Sequence, residues 1–252
     1  DPEMSRGLGD VYKRQGMITV NNNKVKSNYK VAADDIINVH IPELVVPEIV
    51  PEDISLDIVY EDDDIIVINK PKGMVVHPAA GHYSGTLVNA LMYHCRDNLS
   101  GINGVLRPGI VHRIDMNTTG VIVACKNDYA HNFIAQQLSV HSITRKYYAI
   151  VHNQFNNTEG VVDVPIGRNP SDRKKMAVDK KNGKRAITHY RVLEQFGKFS
   201  YIECQLETGR THQIRVHMAS LHHPLLGDTV YGSQKNPYHL EAVSYTHLRA
   251  HE

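Results

Sequence analysis

Residues 109–120 read Gly-Ile-Val-His-Arg-Ile-Asp-Met-Asn-Thr-Thr-Gly, a polar turn set between two apolar runs. Ile110 and Val111 are typical of a strand end, and the apolar residues 121–125 predict a buried strand after the turn. Asp115 is therefore expected on a loop held between rigid elements, where reactive side chains are often displayed. Considered alone, an aspartate in such a turn more often closes or caps the turn.

Strands and helices are predicted on both sides of this loop. Apolar alternation and turn residues predict strands at residues 65–69, 147–151, 160–164 and 201–206. Helical spacing predicts helices at residues 86–95, from residue 128 onward, and at 211–221. Successive strand runs with few helices favour an α+β fold with a largely antiparallel mixed sheet over a doubly wound fold.

Prolines divide the chain into a small and a large part. Short strands are predicted at residues 18–20, 24–26 and 35–41, within a small piece of residues 16–42. Pro42, Pro47 and Pro51 predict an extended linker over residues 43–55, followed by the domain of chemical interest at 56–241. Residues 1–15 and 242–252 resemble translated adapter sequence, and we expect a non-native leader and tail outside the fold.

Composition excludes several classes of protein. The 252 residues are 41% hydrophobic and 22% charged, as in ordinary globular proteins. No apolar run approaches the roughly 18 residues that span a bilayer, so no membrane association is expected. The three cysteines, Cys95, Cys125 and Cys204, are far apart, which argues against a disulfide framework or a zinc ribbon. A cytoplasmic, reducing location is expected.

Residues 168–185 are strongly basic, with eight bases against two acids and hence a net charge of +6. A mobile basic loop of this kind can follow a phosphate backbone, and Lys174 and Lys175 are candidate contacts. Considered alone, such a segment is more often a solvated surface loop.

Residues 207–218, Glu-Thr-Gly-Arg-Thr-His-Gln-Ile-Arg-Val-His-Met, combine a glycine break with arginines and histidines at a predicted helix start. Arg210 and Arg215 can bind phosphate or carboxylate groups, because the guanidinium is always charged and donates in a planar fork. His212 and His217 are five residues apart and lack the spacing of a HExxH metal motif. A metal site is therefore not expected here.

Four ordered blocks of the sequence resemble one enzyme family. The segment HRIDMNTTG at 112–120 resembles the HRLDxxTSG signature of the RluA/RluD-type pseudouridine synthases. The other blocks are KPKG at 70–73 with VHP at 76–78, RKYYA at 145–149, and TGRTHQIRVH at 208–217 with GD at 227–228 and YG at 231–232. The resemblance covers about residues 56–238 and is closest to the branch that acts on large-subunit ribosomal RNA.

The resemblance implies a pseudouridine synthase fold preceded by a partial S4-like RNA-binding piece at residues 16–42. The leading helices of that module and the family's final strands beyond about residue 240 are expected to be missing. The implied activity is isomerisation of uridine to pseudouridine without cofactor or metal. The implied partner is ribosomal RNA or a pre-ribosomal particle, bound by a monomer. The alternative is an S4-type RNA-binding protein with an inactive synthase domain.

The resemblance also assigns roles to individual residues. Asp115 is the catalytic carboxylate, which could add to C6 of the base, trap C1′ as an ester or abstract the 2′ proton. Arg215 is its ion-pair partner, and Tyr147 is a catalytic residue that packs against the uracil and helps remove the C5 proton. Arg113 enters the base stack in place of the flipped nucleotide. The remaining expected RNA or base contacts are His112, Thr119, Lys72, His77, Leu206, Arg210, His212, Lys174 and Lys175.

Overall fold

The computed structural model describes residues 16–26, 28–40, 49–79, 81–102, 104, 107–172 and 174–232, together with the backbone of 244–249. The chain forms two compact units, Asp1–Val46 and Pro47–Glu252. The predicted leader at 1–15, residues 43–48 of the predicted linker, and residues 242–243 and 250–252 of the predicted tail lie outside the described residues. Within the described part, no helix is long and apolar enough to cross a membrane.

The first unit contains a small antiparallel sheet of order β2-β1-β3. Its strands are β1 (Ile18–Val20), β2 (Asn23–Lys24) and β3 (Ile37–Val39), close to the three short strands predicted. Asn21 and Asn22 adopt positive φ angles of 51° and 63°, which asparagine tolerates in the tight turn that joins β1 to β2.

The second unit is built on an eight-stranded sheet of order β4-β5-β6-β13-β7-β12-β11-β8. Its elements in chain order are β4 (Ile58–Glu61), β5 (Ile65–Lys70), α1 (Leu87–Cys95), β6 (Thr118–Cys125), α2 (Asp128–Ser139), β7 (Thr144–His152), β8 (Glu159–Asp163), β9 (Ile166–Arg168), β10 (Met176–Val178), β11 (Ile187–Phe196), β12 (Phe199–Leu206), α3 (Gln213–Ser220) and β13 (Ser244–Arg249). Only the pairing of β13 with β6 is parallel among these described strands. The expected α+β fold with a largely antiparallel sheet is confirmed.

Two expectations about strands differ from the structure. The backbone of Ser244–Arg249, expected outside the fold, pairs with β6 and β7, because each of those strands offers free backbone groups to a strand between them. The basic segment is not simply a loop, since β9 and β10 pair within it as an antiparallel hairpin. Ile166, Met176 and Val178 supply the apolar side chains that pack this hairpin against Val216 and Tyr231.

Part of the predicted linker belongs to the second unit. Ile49 is buried in the core, and the side-chain amide of Asn89 donates to the Val50 carbonyl oxygen at 2.8 Å. The backbone N–H of Glu52 donates to the Asn89 carbonyl oxygen at 3.0 Å. An apolar side chain and these two hydrogen bonds therefore attach residues 49–52 to the second unit.

Two apolar clusters form the core of the second unit. In the first, α1 packs on Ile66, Ile68 and Ile122 of β5 and β6. In the second, α3 packs on β7 and β12. Tyr147 contacts both clusters, so it lies where the two halves of the sheet meet.

Candidate active site

Two side chains of the Asp115 loop, those of Ile114 and His112, attach the loop to the core on one side. Ile114 is buried in the first apolar cluster, so Asp115 follows a fixed residue. The backbone N–H of Val123 donates to Nε2 of His112 at 3.0 Å. Burial, assisted by the nearby Arg145 cation, lowers the pKa of His112 to about 4, so this imidazole stays neutral and accepts that bond.

Lys70 attaches the loop from the other side. Its side chain is fully buried, and its ammonium donates to the carbonyl oxygens of Pro71, Met74 and Met116 at 2.8, 2.8 and 3.0 Å. Burial lowers the pKa of Lys70 to about 8, while the Asp115 carboxylate acts in the opposite direction. Because Met116 follows Asp115 directly, these bonds hold the backbone at the carboxylate.

Gly109 allows the start of the loop to pass against β6. Its φ is +71°, and a Cβ added there would lie 2.8 Å from the carbonyl oxygen of Cys125. The Cys125 N–H donates to the Gly109 carbonyl oxygen at 2.8 Å. Both the backbone angle and the close approach therefore require glycine.

Asp115, Arg215 and Asp228 form a chain of ion pairs. Nη1 of Arg215 donates to Oδ2 of Asp115 at 3.1 Å. Nε and Nη2 of Arg215 donate to the two carboxylate oxygens of Asp228 at 2.7 and 3.0 Å. The bidentate contact fixes the plane of the guanidinium and thereby directs its remaining nitrogen at Asp115.

The charges of this chain are mutually stabilised. Asp228 is 2% exposed, and although burial opposes ionisation, the Arg215 bonds and the N–H groups of Val230 and Tyr231 leave its pKa below the ordinary value. Burial likewise opposes the charge of Arg215, but Asp228 and then Asp115 raise its pKa above the ordinary value. The guanidinium is a permanent cation beside Asp115.

Two further rings flank Asp115. Nε2 of His212 lies 3.9 Å from Oδ2 of Asp115. Burial lowers the pKa of His212, and Arg215 adds to this effect while Asp115 opposes it. Burial raises the pKa of Tyr147 to about 12, with Arg145 opposing, so Tyr147 remains a phenol.

These groups line one open cleft of about 350 Å³, within the range of small-ligand sites. Eight residues expected at the site share it: Asp115, Tyr147, Arg215, His112, Arg113, Leu206, Arg210 and His212. They come from the Asp115 loop, β7, β12 and the start of α3. Arg113 is exposed at the cleft.

Five other expected residues lie outside the lining of this cleft: Thr119, Lys72, His77, Lys174 and Lys175. Thr118 lines the cleft instead of Thr119, because successive strand residues point to opposite faces. His77 is buried, and burial lowers its pKa to about 4. Lys174 and Lys175 lie on the segment between β9 and β10.

Arg145 was missed by sequence reasoning as a site residue, although it stands in the RKYYA block. It lines the cleft, is 9% exposed, and donates through Nη2 to the Glu207 carbonyl oxygen and to Nδ1 of His141, both at 3.2 Å. Its Nε has no hydrogen-bond partner in the described part of the chain, and no carboxylate pairs with it there. Burial lowers its pKa.

One group of side chains away from the cleft has the composition of a metal site. The ligand atoms of Glu61, His94 and Cys95 lie within 4.8 Å of one another. The Glu61 carboxylate already bonds His94 at 2.8 Å and the Lys126 ammonium at 3.0 Å. Burial raises the pKa of the Cys95 thiol to about 11, which disfavours the thiolate that a metal requires.

The family model that matches this chain and two similar sequences are all those of pseudouridine synthases. A family model described as RNA pseudouridylate synthase matches residues 64–220. An uncharacterized RNA pseudouridine synthase of Bacillus subtilis, YlyB, is 48% identical over 99% of this chain and 84% of its own length. Ribosomal large subunit pseudouridine synthase D of Zymomonas mobilis is 51% identical over 88% of this chain and 71% of its own length.

Solved structures share the fold. Human RNA pseudouridylate synthase domain containing 1 superposes with a TM-score of 0.64 at 24% identity, covering 78% of each chain. Human RNA pseudouridylate synthase domain containing 4 superposes with a TM-score of 0.54 at 28% identity, covering 71% of this chain and 70% of that one. The chain therefore belongs to the RluA/RluD-type pseudouridine synthase family and is an RNA pseudouridine synthase.

Proposed function

We propose that this enzyme isomerises specific uridines of large-subunit ribosomal RNA, with Asp115 as the catalytic carboxylate. The observation that carries the proposal is the bond from Arg215 to Asp115 on the wall of a cleft that also contains Tyr147. The printed name of the Zymomonas mobilis relative supports the ribosomal substrate. A binding protein without activity would have no need for this arrangement.

The two oxygens of Asp115 have different surroundings. Oδ2 accepts the bond from Arg215, whereas no donor in the described residues bonds Oδ1. Addition to C6, ester formation at C1′ and abstraction of the 2′ proton each need a carboxylate oxygen free to approach the nucleotide. Oδ1 meets that need while Arg215 holds the group in place.

The cleft walls suit an extruded base. Tyr147 offers an uncharged aromatic ring for packing against uracil. A base must leave its stack before its glycosidic bond can be reached, and the exposed Arg113 is suited to fill the vacated position. Arg145, a buried cation without a carboxylate partner in the described residues, suits a phosphate or a uracil carbonyl.

Two further regions supply the affinity for RNA in this proposal. The basic hairpin, defined as β9, β10 and their connection at residues 166–178, carries Lys174 and Lys175 as phosphate contacts. The small antiparallel sheet of the first unit acts as a partial S4-like RNA-binding piece. We further propose a monomer in the cytoplasm, where its three buried free cysteines remain reduced.

Tritium release from large-subunit ribosomal RNA transcripts labelled at uracil C5 tests the proposal. The parent protein should release tritium without added metal or nucleotide. Asp115→Asn should abolish release while filter binding of the same RNA persists, because only the reacting carboxylate is changed. Undiminished release from Asp115→Asn overturns the role of Asp115, and failure of the parent to bind the transcript overturns the substrate class.

A further inference from the structure

Tyr231 stands between the basic hairpin and the groups around Asp115. Its hydroxyl oxygen accepts the backbone N–H of Met176, on β10, at 2.8 Å. The same oxygen lies 2.7 Å from Nδ1 of His212. The apolar part of the residue packs in the cluster that docks the hairpin against α3.

The partners of the Tyr231 hydroxyl favour one tautomer of His212. A backbone N–H can only donate, so the Tyr231 oxygen accepts from Met176. The hydroxyl has one proton of its own, and Nδ1 of His212 is the acceptor it reaches among the described residues. With Nδ1 accepting, the proton of the neutral imidazole is on Nε2, the nitrogen 3.9 Å from Oδ2 of Asp115.

The same tyrosine also contacts the other groups that hold Asp115. Cζ of Arg215 lies 4.9 Å from the centroid of the Tyr231 ring, within the range of a cation–π contact. The Tyr231 N–H donates to Oδ1 of Asp228 at 3.1 Å. One residue thus touches His212, Arg215 and Asp228.

The backbone of His212 points to a role beyond helix capping. His212 is the N-cap of α3 with φ of +56°, a conformation that costs energy for a side chain other than glycine. Its side chain makes no capping bond. The strained backbone instead directs the imidazole between Tyr231 and Asp115.

We propose that Tyr231 is a positioning residue that couples the basic hairpin to Asp115, by orienting His212 so that its Nε2–H faces Oδ2 of Asp115 at 3.9 Å. This inference rests on the proposed function, in which RNA contacts the hairpin and Asp115 reacts. Displacement of β10 moves the Met176 N–H and thereby releases the hydroxyl that orients His212. Uridine conversion then depends on a docked hairpin, and Oδ1 of Asp115 stays free for the nucleotide.

Tyr231→Phe is the sharpest variant, because it removes both hydroxyl bonds and keeps the ring over Arg215. In tritium release from the C5-labelled transcript, kcat should fall about tenfold, the effect of losing the one bond that orients His212, with KM for the transcript unchanged. Tyr148→Phe is the matched control. It also loses a hydroxyl bond, to Glu203 at 2.9 Å, but projects from the opposite face of β7 to Tyr147, and it should keep the parental kcat.

Nitrogen-15 NMR of the histidine side chains tests the inference without any substrate, with the His212 signals identified by their loss in His212→Gln. The parent should show His212 protonated on Nε2, and Tyr231→Phe should show a mixture of tautomers. A parental kcat in Tyr231→Phe, or a parental proton on Nδ1, overturns the coupling. No tritium release from the parent overturns the proposed function instead, while the NMR result still decides the tautomer.

A second pair of variants covers the case in which Tyr231→Phe does not fold. His212→Gln retains a side-chain N–H donor, whereas His212→Ala does not. If the Nε2–H donor matters, His212→Gln should keep more of the parental kcat than His212→Ala. Equal losses in both variants overturn the proposed role of His212.

Discussion

Asp228 binds Arg215 through two hydrogen bonds of 2.7 and 3.0 Å, and the same guanidinium reaches Asp115 with its remaining nitrogen at 3.1 Å. The orientation of the Arg215 guanidinium at Asp115 is therefore fixed by Asp228, whose carboxylate is almost fully buried. Asp228 does not line the cleft, so its effect on the site passes through Arg215.

We expect acid to destabilise the protein through Asp228. The pKa of this group is below its ordinary value of 3.8 in the folded chain, so its stabilising effect is present above the unfolded value and is lost as pH falls through the folded value. In urea denaturation, the free energy of unfolding should fall below about pH 4. Asp228→Asn should show a shallower fall, and equal pH dependence in both proteins would contradict the assignment.

Gly109→Ala should destabilise the protein more than Gly197→Ala. Both glycines have positive φ, +71° and +58°, but only the Gly109 Cβ would meet a backbone atom, the Cys125 oxygen at 2.8 Å, while nothing lies within 4 Å at Gly197. The steric conflict should add about 1–3 kcal/mol to the loss in free energy of unfolding, measured by urea denaturation. Equal losses would show that the backbone angle alone requires glycine.

Lys70→Met should lower both stability and activity. The change removes the ammonium donor from the carbonyl oxygens of Pro71, Met74 and Met116, of which Met116 keeps only the Gly73 N–H, and it frees the backbone next to Asp115. We expect a loss of about 2 kcal/mol in free energy of unfolding and a lower kcat in tritium release. Lys198→Met, in the exposed turn between β11 and β12, is the control. A parental kcat in Lys70→Met would show that these bonds do not position Asp115.

Arg145→Met should lower activity while leaving the free energy of unfolding nearly unchanged. Removing a buried cation that lacks a carboxylate partner in the described residues should change the free energy of unfolding by less than about 1 kcal/mol. If Arg145 binds substrate, kcat/KM should fall by about tenfold or more. Arg191→Met, whose guanidinium pairs with Glu203 at 3.3 Å outside the cleft, should keep the parental value. A large loss of stability with unchanged kcat/KM would instead assign Arg145 a structural role.

Much of the fold was predictable because its signals are local. Apolar periodicity and capping residues, which lie within a few positions of one another, predict β5, β7, β12 and α1 to α3. β11 was not predicted, since its buried and exposed residues include polar side chains on both faces. The hairpin of β9 and β10 was also missed, because its strands have three residues each and are stabilised by packing on Val216 and Tyr231.

The sequence by itself determined the family, the α+β class and the grouping of Asp115, Tyr147 and Arg215, because ordered motifs carry that information along the chain. Only the tertiary structure decided that Asp228 orients Arg215, that Thr118 rather than Thr119 lines the cleft, and that Tyr231 joins the basic hairpin to His212. These relationships join residues far apart in the chain or depend on which face of a strand turns inward. The packing of the helices on the sheet determines both the long-range contacts and the face of each strand that turns inward. Neither can be predicted from residues that are neighbours in the sequence.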